Sequence, residues 1–238
     1  MSSVLAASRS TGDTSTDTPA VSLTGVTRVF GVAPAIVRVD LRVDRGEVVL
    51  LRGPNGAGKS TLLRVVATAI SPTYGAGSVL GHDLLRDRDR IRRRVEFLGH
   101  RTRLYEDLTA SENLLFACAL HELDPARVPA ALEQVGLSDV TRERVRGFSQ
   151  GMRQRLAVAR AVLRSPDILL LDEPYAGLDT GARDLVDEAV RAARADGRTV
   201  VLATHDLTRA GLVTRTLYMD GGRILAPDVP VDEEQASS

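Results

Sequence analysis

The run Gly53-Pro54-Asn55-Gly56-Ala57-Gly58-Lys59-Ser60-Thr61 restricts this chain more than any other segment. It fits the spacing G-x-x-x-x-G-K-[ST]. It follows an apolar stretch that reads as a strand, Glu47 to Arg52, and leads into Thr61-Leu62-Leu63, which opens a helix. A strand, a glycine-rich loop and a helix in that order form a phosphate cradle. Glycines let the backbone wrap phosphate oxygens with its amide N–H groups pointing inward. The helix N-terminus adds partial positive charge. Lys59 reaches the β- and γ-phosphates as a compact charge, and the Ser60 hydroxyl is a ligand for Mg²⁺. The alternative is a glycine-rich turn that binds nothing. The use of basic residues argues against it: Lys59 is the one lysine among 31 basic residues, and it stands where an arginine fork would not fit.

A second apolar run, Ile168-Leu169-Leu170-Leu171, ends in Asp172-Glu173. Ligands of open α/β sheets gather at strand C-termini, so this pair is expected to face the cradle. Asp172 would hold Mg²⁺ directly or through water, and Glu173 would activate an attacking water. A solvated turn after a core strand is the plainer reading, and the cradle weighs against it. A third run, Thr199-Val200-Val201-Leu202-Ala203, ends at Thr204-His205-Asp206, which makes His205 a candidate for the γ-phosphate or the water.

These runs, with Arg94 to Leu98, are continuously apolar rather than alternating, as in a buried, largely parallel sheet. Between Leu98 and Ile168 the pattern turns helical. Thr109-Ala110-Ser111-Glu112 reads as a capping box opening a helix through about His121. Ala126 to Val135 reads as a second helix stopped by Gly136. Gln150 to Arg164 reads as a third, with Met152, Leu156, Ala159 and Leu163 at helical spacing and Pro166 marking its end.

Acidic and basic residues balance at 31 each, so no basic excess points to nucleic acid or anionic lipid. The single cysteine, Cys118, permits no disulfide within the chain and lies in an apolar run, where a small core residue is the plainer reading than a reactive thiol. No stretch has the roughly 18 apolar residues of a membrane-spanning helix. Residues 1–20, rich in Ser, Thr and Asp, are expected to form a disordered tail, with the folded domain over 21–227, its helical subdomain over about 106–165, and a flexible end over 228–238.

From about Val21 to Leu225 the chain resembles the nucleotide-binding domains of ABC transporters. Phe148-Ser149-Gln150-Gly151-Met152 is similar to that family's signature motif, in a variant that keeps the serine and the second glycine. Ala176-Gly177-Leu178-Asp179 is similar to its D-loop, and Phe30 stands where an aromatic ring stacks on adenine, unless it is a core phenylalanine. The resemblance implies an α/β P-loop NTPase core with a mostly parallel sheet, an antiparallel β edge and an inserted helical subdomain. It also implies hydrolysis of Mg·ATP coupled to transport. The expected partners are an integral membrane permease and a second ATP-binding subunit, two subunits sandwiching two nucleotides so that Ser149, Gln150 and Gly151 meet the partner's γ-phosphate and Asp179 links the sites. The chain would then sit on the cytoplasmic face of the membrane, with no nucleic acid expected.

One position departs from the family. His100 stands where the family has the glutamine that offers an amide oxygen to Mg²⁺ or the water; neutral imidazole ligates or accepts with a different reach. His100, with Leu108 to Leu114 and Asp172 to Gly177, resembles the haem-exporter, cytochrome c maturation branch. Drug and antibiotic exporters share most of the remaining pattern. An ABC-type ATPase acting on ribosomes or DNA would carry a second cassette or long coiled-coil insertions, and a P-loop kinase or GTPase would not need the Ser149–Gly151 motif.

Overall fold

The computed structural model describes residues 18–99, 102–176, 178, 180–204 and 210–227. In chain order the elements are β1 (Val21–Phe30), β2 (Ala33–Val43), β3 (Val48–Arg52), α1 (Lys59–Val66), β4 (Tyr74–Val79) and β5 (His82–Asp83). Then come α2 (Arg88–Arg94), β6 (Val95–Leu98), α3 (Ala110–His121), α4 (Val128–Gln134) and α5 (Gln150–Arg164). The chain continues through β7 (Ile168–Asp172), α6 (Thr180–Ala195), β8 (Thr199–Ala203), β9 (Arg215–Asp220) and β10 (Arg223–Pro227). Among these residues no helix is long and apolar enough to cross a membrane. Residues 1–17 of the tail expected over 1–20, the end expected over 228–238, and His100, Gly177, Asp179 and His205 lie outside the described residues. Ala20, just before β1, is fully buried and accepts a hydrogen bond from the Leu80 N–H at 2.9 Å.

Two sheets share the work. The larger has the order β10-β9-β3-β8-β7-β6, parallel throughout except for the antiparallel β9–β10 pair. The smaller is antiparallel, β2-β1-β4-β5, so the antiparallel portion is a second sheet and not only an edge. Its strands escape a pattern reading because Thr, Arg and Gly interrupt their alternation, and β1–β2 shifts register three times. The parallel strands are apolar throughout because both faces are covered. Val48, Leu50, Leu169, Leu171, Val200 and Leu202 point into a core shared with α3 to α6. Val49, Leu51, Leu170 and Val201 point the other way, against α1 and the antiparallel sheet. Side chains thus alternate between two cores at the strand period of two.

The helices α3, α4 and α5 are inserted between β6 and β7. The capping box of α3 forms in both directions: Thr109 Oγ1 accepts from the Glu112 N–H, and Glu112 Oε2 accepts from the Thr109 N–H. Cys118 is buried in this helix, and burial pushes its thiol pKa up. The helix expected over 126–135 divides into a 3-10 turn, Pro125–Arg127, and α4, because Asp124 caps the turn and Pro125 starts it. Gly136 then takes a left-handed φ of 66° and ends the segment. Helix α5 has the expected bounds, with Ser149 Oγ accepting from the Met152 N–H and Ser165 left-handed before Pro166.

Candidate nucleotide site

The loop after β3 turns sharply enough that only glycine fits at two positions. A Cβ on Gly58, at φ 100°, would lie 2.5 Å from the Ala35 carbonyl oxygen and 2.9 Å from Ile36 Cγ2; one on Gly53 would overlap the Met219 carbonyl oxygen. The loop is therefore pressed against β2 and β9 and cannot relax outward. The Gly222 N–H buttresses it further by donating to the Ala57 carbonyl. Its tip, Pro54-Asn55-Gly56, is exposed. Helix α1 begins at Lys59, two residues earlier than expected, with Gly58 as its N-cap and no side-chain cap. An N-terminus without a side-chain cap keeps its amides available to an anion.

Lys59 is buried, and its ammonium donates to the Gly53 carbonyl at 2.6 Å and the Pro54 carbonyl at 3.1 Å. The charge is thus held over the mouth of the loop by the loop itself. Next to it, the Ser60 hydroxyl donates to Asp172 Oδ1 at 2.7 Å, although β8 lies between β3 and β7 in the sheet. Asp172 is buried at the end of β7, in register with Ala203. Two hard oxygens side by side beside a phosphate loop fit Mg²⁺, which takes one or two protein oxygens and completes its shell with phosphate and water. No group of three or more His, Cys, Asp or Glu residues suited to a metal occurs among the described residues. The site therefore fits a metal shared with a phosphate substrate, not an all-protein cage.

Glu173 follows in a left-handed conformation, φ 49°, with its N–H donating to the Ala203 carbonyl at 2.8 Å. A non-glycine residue in that region is strained and is retained where a side chain must be aimed. The turn rotates Glu173 away from Asp172 into a cavity of about 570 Å³ lined also by Gly99, Thr102, Glu106, Gln150 and Gln154. The structure thus gathers the cradle, Ser60 and Asp172 in one place and gives Glu173 and Gln150 a common cavity. Among the described residues no hydrogen bond joins Ser149, Gln150 or Gly151 to the cradle. Ser149 and Gln150 are exposed, and Gly151 is half-buried.

Phe30, at the end of β1, is 47% exposed, which removes the core alternative. The Arg28 guanidinium covers one side of its ring at 4.5 Å. The sequence reading missed this arginine and the buried cluster of Glu96, Arg160 and Arg164. The signal for the second was present, a carboxylate inside the otherwise apolar strand Val95–Leu98.

The model of the ABC transporter family matches residues 36–176, more than half of the chain. The chain is 40% identical over 212 residues to the daunorubicin resistance ATP-binding protein DrrA3 of Streptomyces coeruleorubidus, covering 87% of this chain and 67% of that protein. It is 36% identical to the ATP-binding protein NatA of Bacillus subtilis, covering 78% and 79%. It is also 36% identical to the Nod factor export ATP-binding protein I of Cupriavidus pinatubonensis, covering 90% and 68%. The chain thus spans about two thirds of the length of the first and third of these relatives. Among solved structures, an ATP-binding subunit of an ABC transporter superposes with a TM-score of 0.82 at 30% identity, covering 88% of this chain and 89% of that one. The ATP-binding cassette MJ0796, a dimer in a post-hydrolysis state bound to ADP and Pi, superposes with a TM-score of 0.81 at 27% identity, covering 87% and 97%. This chain belongs to the ABC transporter family, as one of its ATP-hydrolysing, ATP-binding subunits.

Proposed function

We propose that the chain is the motor of an exporter of small organic molecules, working as one of a pair of ATP-binding subunits on the cytoplasmic side of a membrane permease. The observation behind the motor reading is the Ser60–Asp172 contact of 2.7 Å beside the lysine-closed loop, with Glu173 turned into the adjoining cavity. The direction of transport rests on the relatives, which are named for daunorubicin resistance and Nod factor export. Those names support the drug and small-molecule alternative over haem export, and haem export is set aside as the main reading.

In this reading the amides of Gly53 to Thr61 and the Lys59 ammonium hold the triphosphate, and Phe30 stacks on adenine. Ser60 and Asp172 hold Mg²⁺, which supplies charge neutralisation at the phosphates when bound. Glu173 takes a proton from the attacking water. Ser149, Gln150 and Gly151 meet the nucleotide held by the second subunit. His100 and His205 would orient the water, and Asp179 would link the two sites.

The test is transport. Inside-out vesicles containing the chain and the membrane protein that co-purifies with it should accumulate daunorubicin with Mg·ATP. Lys59→Ala should stop both accumulation and hydrolysis. Haem accumulation without daunorubicin accumulation would reverse the choice of cargo, and transport at the parent rate by Lys59→Ala would remove the motor reading altogether.

A further inference from the structure

Glu96 lies inside β6, where the strand is otherwise apolar, and its side chain is 5% exposed. Its Oε1 accepts from Nε and a terminal nitrogen of Arg160 at 3.0 and 2.9 Å, and its Oε2 pairs with Arg164. Both arginines belong to α5, one turn apart. Each reaches further. Arg160 donates to the carbonyl of Arg103 at 3.2 Å, a residue with a left-handed φ of 54° in the loop between β6 and α3. Arg164 donates to the carbonyls of Arg92 and Arg93 at the end of α2, at 3.0 and 3.4 Å. The same loop is pinned from its far side by buried Asn113, which accepts from the Tyr105 N–H at 2.8 Å and donates to the carbonyls of Tyr105 and Thr109.

Helix α5 is therefore tied at two successive turns to a core strand, to the end of α2 and to the loop after β6. That strand pairs with β7, Glu96 opposite Leu169, and β7 ends in Asp172. Stability alone does not call for this cluster. Desolvation lowers the pKa of both arginines, that of Arg164 to about 10. Apolar side chains of similar volume hold such a site at least as firmly as a buried ion triad. What directed hydrogen bonds add is a defined rotation and height of the helix.

We propose that Glu96, Arg160 and Arg164 are positioning residues for hydrolysis, setting α5, and with it Ser149 at its N-terminus, against the C-terminal end of β7, where Asp172 and Glu173 stand. The inference rests on the reading above in which Ser149 meets the partner's nucleotide.

The experiment uses the full chain and four variants: Glu96→Gln, Arg164→Lys, the apolar triple Glu96→Leu with Arg160→Met and Arg164→Met, and Ser149→Arg as control. Melting temperature, affinity of the monomer for a fluorescent ATP analogue, kcat and KM are measured for each. Mg·ATP-driven dimerisation is then followed with each change placed in Glu173→Gln. The triple variant should melt close to the parent and bind nucleotide with parental affinity, yet lose about tenfold or more in kcat and dimerise weakly, since small misplacements of a catalytic element cost that much. Arg164→Lys, the mildest change and the arbiter if the triple variant does not fold, should lose kcat in the same direction with KM unchanged. Parental kcat in the triple variant or in Arg164→Lys overturns the proposal, as does a loss of monomer affinity in Glu96→Gln that matches its loss of kcat. If Ser149→Arg itself dimerises and turns over normally, the sandwich reading is what fails.

Discussion

At the scale of single residues, Lys59 shows how a local requirement governs residue choice. Its ammonium lies 2.6 Å from the Gly53 carbonyl and 3.1 Å from that of Pro54, a pocket made for a point charge with rotatable donors. Lys59→Arg keeps the charge but brings a planar fork into a space bounded by backbone. Both Lys59→Arg and Lys59→Ala should lower kcat by about 10²–10³-fold, the usual loss on removing one donor to developing charge. Steady-state phosphate release measures this, and a parental rate in Lys59→Arg would mean that charge alone suffices. Gly58 belongs to the same argument, since the space a side chain would need is already filled by Ala35 and Ile36.

Among the elements, α3 offers the cleanest energetic test. Thr109→Ala removes one half of the capping box and should destabilise the fold by about 1 kcal/mol, a fall in Tm of roughly 2–4 °C for a chain this long. The other half titrates. The Thr109 backbone N–H donates to Glu112 and holds its carboxyl below the usual glutamate range. Because the folded-state pKa is the lower one, this contribution is complete at neutral pH and is lost as pH falls through the folded value. Glu112→Gln should flatten that acid dependence in thermal melts recorded from neutral to acidic pH. This capping box was legible in the sequence because it is local chemistry at a fixed spacing. So were the continuous apolar parallel strands and α5, whose start and stop residues are explicit. The antiparallel sheet was not legible as such, since β1 and β2 pair through register shifts and interrupt their alternation with Thr and Arg. Nor was the Glu96 cluster, whose members are 64 and 68 residues apart in the chain and meet only when α5 packs on β6.

For the whole molecule, the structure joins only some of the residues picked out in the sequence into one hydrogen-bonded site. The cradle and Asp172 converge within one subunit, whereas Ser149 and Gln150 stand exposed at the start of α5 with no hydrogen bond to that cradle among the described residues. In the proposed reading, Ser149 and Gln150 would meet a nucleotide held by a second subunit. The cassette MJ0796, similar across 87% of this chain, is a dimer. If Glu173 is the base, it would end the bound state of such a pair by hydrolysis, and its amide equivalent could not take the proton. The most direct test is therefore the mass of Glu173→Gln by size-exclusion chromatography with light scattering, with and without Mg·ATP. The account predicts a monomer without nucleotide and a stable dimer with it, no phosphate release, and loss of the dimer when Ser149→Arg is added. A Glu173→Gln protein that stays monomeric with Mg·ATP and hydrolyses at the parent rate would contradict both the base and the paired site.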